Sequence, residues 1–229
     1  MSLFEKSGVQ AVNQSQTGVR SELATNKVLR NTYMLLAMTL LFSGLTATAA
    51  MLSNAPPLNF FITIALYFGL LFGTQALRNS PWGLVMVFAL TGFLGYTLGP
   101  ILNVYLSLAN GAQIVATALA GTGVIFLGLS GYALVSRKDF SFMGGFLMVG
   151  ILVAFLAGLA SFFIQMPALQ LAVSAMFVLL MSGLILYQTS EIIHGGEDNY
   201  IMATVTLYLT IYNLFFSLLH ILGFLGGDE

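Results

Sequence analysis

The chain has 229 residues, of which 58% are hydrophobic and only 7% charged, and its net charge is -1. A soluble domain carries about a quarter charged residues, so water is not the main solvent of this protein, and its seven scattered Lys and Arg offer no footprint for nucleic acid. The lack of cysteine excludes disulfides, thiolate metal sites, iron–sulfur clusters and cysteine nucleophiles together.

Residues 1–27 are rich in Ser, Gln, Asn and Thr and carry the mixed charges Glu5, Lys6, Arg20 and Glu22. Such a segment has too little apolar surface to fold alone, which predicts a disordered tail. No basic-then-apolar stretch with a small-residue cleavage site comes before the first long apolar run, so that run is expected to act as its own insertion signal. A membrane domain over 28–225 follows, in seven apolar stretches at 28–52, 58–77, 82–106, 112–135, 142–164, 168–187 and 201–225. About 20 helical residues cross the ~30 Å hydrocarbon core, so each stretch can span. Helix is the forced conformation, because lipid leaves the backbone to satisfy its own hydrogen bonds and the stretches lack barrel-type alternation. The expected fold is therefore all-α, a polytopic bundle of seven transmembrane helices in the lipid bilayer. Pro56, Pro57, Pro81 and Pro167 fall in the connections, and Pro100 alone falls inside a helix, where it should bend it after Gly99.

The basic residues set the orientation. Lys6, Arg20, Lys27 and Arg30 flank the first span, Arg78 follows the second, and Arg137 with Lys138 follow the fourth. All lie on one side of seven spans, which the positive-inside rule makes cytoplasmic. The short acidic tail 226–229 then lies outside, and the link at 191–200, which has no Lys or Arg, is placed inside by counting spans.

Two patterns of small residues stand out, Thr91, Gly95 and Gly99 in the third span and Gly150, Ala154 and Gly158 in the fifth. Four-residue spacing puts each set on one helix face, where small side chains let helices approach closely. In the last span, Ala203, Thr206, Thr210, Asn213, Ser217 and His220 recur every three or four residues and form one stripe about 20 Å long. Its inward face serves either as interhelical hydrogen-bond glue or as a polar path with weak ion binding. Gln188 and Glu191 share a face at the end of the sixth span, where a carboxylate is functional if it lies deep and simply solvated if it lies at the interface. Gly195 and Gly196 read as the stop of that helix.

No catalytic constellation is expected. Gly128-Leu129-Ser130-Gly131 matches the GxSG of rhomboid proteases and His220-Ile221-Leu222-Gly223 their HxxG. The two motifs belong on opposite membrane sides, about 20 Å apart, whereas a nucleophile and its base need about 3 Å. His194 and His220 sit at opposite ends of the last span, so neither a metal site nor a cofactor is expected.

Three segments resemble the Bax inhibitor (transmembrane Bax inhibitor motif) family: Thr91 to Pro100, Ile192 to Glu197, and Leu207 to Phe215. The resemblance extends over nearly the whole chain after Lys27 and is strongest to the bacterial YccA-like branch. It implies a seven-helix bundle wrapped around the last helix, a bacterial inner-membrane location, and modulation by binding, not catalysis, of the ATP-dependent protease FtsH with its HflK/HflC scaffold. The family also implies an alternative, a pH-sensitive calcium leak governed by an aspartate pair. Those aspartates match Gln188 and Thr210 here, which do not ionise, with Glu191 one turn away as a partial substitute.

Overall fold

A computed structural model describes residues 3–164 and 166–226, with side chains from Thr25 onward except at residue 162. The helices are α1 (Leu3–Leu52), α2 (Phe60–Leu77), α3 (Trp82–Leu106), α4 (Gly111–Ser136), α5 (Gly144–Ile164, after a 3-10 turn at Ser141–Met143), α6 (Pro167–His194) and α7 (Tyr200–Gly226). Each has the length and composition to cross a membrane, α1 through its part Thr25–Leu52. Upstream of Thr25 the backbone of α1 is helical back to Leu3. Residues 227–229 of the acidic tail lie outside the described residues.

The helix ends follow local chemistry. Asn59 accepts the Phe61 N–H and starts α2. Pro167 is the first residue of α6 and not part of a connection, consistent with its missing N–H being harmless there. α6 runs on past Tyr187 to His194, which makes Gln188 and Glu191 helical, and stops at Gly195 with a left-handed φ of 78°. α3 continues through Pro100 to Leu106.

α7 is the central helix. It packs against α1, α3, α4 and α6, while α2 leans on α3 and α5 on α6. Ala203, Leu207 and Leu214 on one side of α7 and Val205 and Leu219 on another are buried, so the helix is enclosed over most of its circumference. α5 instead turns Phe146, Met148, Val149 and Leu152 outward, the composition expected of a lipid-facing helix.

The small-residue faces explain two close approaches. A Cβ on Gly95 would fall against the Ser43 carbonyl and the Thr46 hydroxyl of α1, and one on Gly99 would come within 2.5 Å of the Ala50 Cβ. Thr91 on the same face is fully buried. On α5, a Cβ at Gly150 would lie 2.6 Å from Leu180 Cδ2 of α6, Ala154 is fully buried, and Gly158 faces Val173 at ordinary contact distance. Both faces are thus used within the chain.

Candidate functional site

The polar face of α7 is spent largely on α7 itself. The Thr206 hydroxyl donates to the Met202 carbonyl at 3.0 Å, Thr210 to Thr206 at 2.7 Å, and the Asn213 amide to Leu209 at 2.8 Å. Each bond reaches back one turn, which satisfies a polar group in a helix without a neighbour. The stripe is therefore neither interhelical glue at these positions nor a row of free donors. Ser217 is buried, and His220 does reach across, its Nδ1 lying 2.9 Å from the Ser174 hydroxyl of α6. Among the described residues, neither Gln188 nor Glu191 makes a side-chain hydrogen bond to the stripe.

Other interhelical polar contacts centre on two tyrosines, Tyr208 and Tyr33, that periodicity did not single out. In the centre of the bundle the Tyr208 phenol, 1% exposed, lies 2.6 Å from the Ser43 hydroxyl of α1 and donates to the Thr91 carbonyl of α3 at 3.2 Å. One side chain on α7 thus ties together α1 and α3 at the site of their closest approach. A second cluster joins the Tyr33 hydroxyl of α1 to Ser130 of α4 and, at 3.3 Å, to Thr189 of α6, with Ser130 and Thr189 3.4 Å apart. Ser130 is thereby a structural hydroxyl, in a different network from His220.

At the end of α6 a third cluster holds the α4–α5 connection. Ser190 accepts the Phe140 N–H at 2.9 Å and faces the Lys138 carbonyl at 3.3 Å. His194 Nε2 donates to the Arg137 carbonyl at 3.2 Å, and its Nδ1 faces Ser190. Arg137 closes α4 in a left-handed conformation, φ 49°, held by its own N–H to Ala133. Asp139 accepts the Ser141 N–H at 2.8 Å. The Ser141 backbone and hydroxyl, helped by His194, hold the Asp139 carboxyl below the usual carboxylate range.

Glu191 lies one turn before the end of α6, with its carboxylate folded over Gly196, where an added Cβ would overlap Oε2. The link to α7 is closed by Asn199, which accepts the N–H groups of Ile201 and Met202 and donates to the Arg78 carbonyl and Asn79. An Asn directly before an apolar run is the ordinary start signal of a helix and was readable as such. Among the described residues no three His, Asp or Glu side chains gather to hold a metal.

Comparison with known proteins adds what these contacts leave open. Residues 25–227 match the family described as Inhibitor of apoptosis-promoting Bax1. The chain is 53% identical over 208 residues to the Modulator of FtsH protease YccA of Escherichia coli K12, covering 91% of this chain and 94% of that protein. An uncharacterized protein of Pseudomonas aeruginosa is 55% identical over 216 residues, 94% of this chain and 97% of its own length. A membrane protein of Vibrio cholerae is 45% identical over 208 residues, 90% and 93% of the two chains.

Proposed function

This chain belongs to the family described as Inhibitor of apoptosis-promoting Bax1, and we propose that it is an inner-membrane protein that modulates an FtsH protease by binding it. The observation that carries this reading is the 53% identity, along 91% of the chain, to a protein named as such a modulator. Identity at this level over 91% of this chain and 94% of that protein favours a shared mode of action over a shared fold alone.

The mechanism is binding without chemistry. An ATP-dependent membrane protease must pull a substrate out of the bilayer, so a chain that offers a grip and resists extraction occupies it. In this reading residues 1–27 provide the grip, on the side that the positive-inside rule, applied to Lys27, Arg30, Arg78, Arg137 and Lys138, makes cytoplasmic. The resistance comes from the packing of α3 on α1 at Gly95 and Gly99 and from the Tyr208 tie between them. The HflK/HflC scaffold belongs to the same assembly in this reading.

A cation leak finds less support. Gln188 and Thr210 supply no carboxylates, and Ca²⁺ favours several oxygen ligands that include carboxylates. Capture of the tagged chain from native membranes tests the proposal: FtsH, HflK and HflC are expected to come with it. Their absence, from membranes in which they are abundant, would rule it out.

A further inference from the structure

α1 and α4 touch at one level and part at the next. They meet where the Tyr33 hydroxyl joins Ser130 and its ring lies 6.3 Å from Phe126. Beyond Phe126 they separate and leave a cavity of about 390 Å³ that opens sideways, with Tyr208, Ile211 and Phe215 of α7 as its floor. From Ser43 to Met51 the cleft follows α1 for about 12 Å, from the middle of the span toward its far end.

The lining settles what kind of occupant fits. Its hydroxyls are already satisfied: Thr48 donates to the Gly44 carbonyl at 2.8 Å, Thr122 to Ala118 at 2.7 Å, and Ser43 pairs with Tyr208. Water needs several polar partners, and these hydroxyls have already given up their protons to the protein among a lining that is mainly apolar, whereas hydrocarbon needs only volume. Two helical glycines face this space from opposite walls, Gly44 on α1 and Gly123 on α4. A Cβ at either would meet nothing within 4 Å, unlike Gly95, where it would collide with α1. Open space surrounds other helical glycines too, such as Gly69 and Gly128, but Gly44 and Gly123 are the two that line this cavity, and with no side chain on either wall the cleft keeps its width.

We propose that the cleft between α1 and α4 is a binding site for one acyl chain of a bilayer phospholipid. The chain enters from the side, its methyl end reaching Phe126 and Ile211 near mid-span, and the head group stays at the surface beyond Met51. This matches the bilayer, whose chain ends meet at the midplane and whose hydrocarbon is continuous with the open side of the cleft.

The test uses the full chain in phosphatidylethanolamine/phosphatidylglycerol vesicles doped with phosphatidylethanolamine carrying a diazirine at one methyl end. After illumination, labelled residues are mapped by mass spectrometry. Ile211 and Phe215 are buried on the central helix, so only a chain inside the cleft reaches them. They are expected to be labelled in the natural protein and to fall to background in Gly44→Leu/Gly123→Leu. Labelling of the lipid-facing Leu152 and Leu179 should stay constant, and Gly69→Leu, on α2 away from the cleft, should change neither set. If the double variant fails to insert, each single leucine must give the fall. An unlabelled floor in the natural protein, a floor labelled equally in the filled variants, or a floor reached only by a diazirine-bearing transmembrane peptide would overturn the proposal.

Discussion

Tyr208→Phe isolates the polar tie at the centre of the bundle. The ring stays, and the phenol that faces Ser43 at 2.6 Å and Thr91 at 3.2 Å is lost. An interhelical hydrogen bond in a membrane protein averages about 0.6 kcal/mol and reaches about 1.7. A buried group left without a partner costs about 1–3 kcal/mol, but Ser43 can turn to a carbonyl one turn back and the Thr91 carbonyl has a bond along its own helix. The expected loss is therefore about 1 kcal/mol. Tyr208→Ala removes a fully buried ring as well and should cost about 3–5 kcal/mol. Reversible unfolding in mixed micelles, run as a cycle of Tyr208→Phe, Ser43→Ala and the double variant, should give a coupling of about 0.5–1.5 kcal/mol. A coupling near zero, or a Tyr208→Phe loss as large as that of Tyr208→Ala, would refute the reasoning.

Gly95→Leu should prevent α3 from seating on α1 and abolish a monodisperse peak in size-exclusion chromatography, because the added atoms overlap Ser43 and Thr46; Gly69→Leu, with open space around it, should elute like the natural protein. Thr32 is fully buried and its hydroxyl has no partner, so Thr32→Val should be neutral or stabilising in the same unfolding assay. Reporters fused after Arg137 should read as cytoplasmic and those after Glu229 as outside, the segregation expected from the basic residues; a cytoplasmic C-terminus would reverse the assignment.

The spans were legible because apolar length alone answers the question of what can cross a bilayer. Helix ends were less so: Gln188 to His194 are polar enough to end an apolar run, yet their hydrogen bonding carries α6 on to Gly195. Hydropathy reads the solvent, not the backbone. Spacing likewise revealed that Thr206, Thr210 and Asn213 share a face, but not that each would bond within its own helix. The contacts that join helices involve partners far apart in the chain, as Tyr33 with Ser130 and Thr189 or Ser43 with Tyr208. No periodic pattern along one helix encodes such a pairing. Asn199 was within reach as a helix start, whereas Ser130, weighed only as a nucleophile, showed its structural role only through its neighbours.

The central claim is that this protein acts on FtsH by occupying it. FtsH reconstituted in proteoliposomes, degrading a second membrane substrate with increasing amounts of the full chain, measures this directly. Substrate turnover is expected to fall as the chain is added, while the chain itself stays bound and is cleaved slowly, and removal of residues 1–27 should restore turnover. Undiminished turnover at saturating excess of the full chain, with no chain retained on the protease, would contradict the claim.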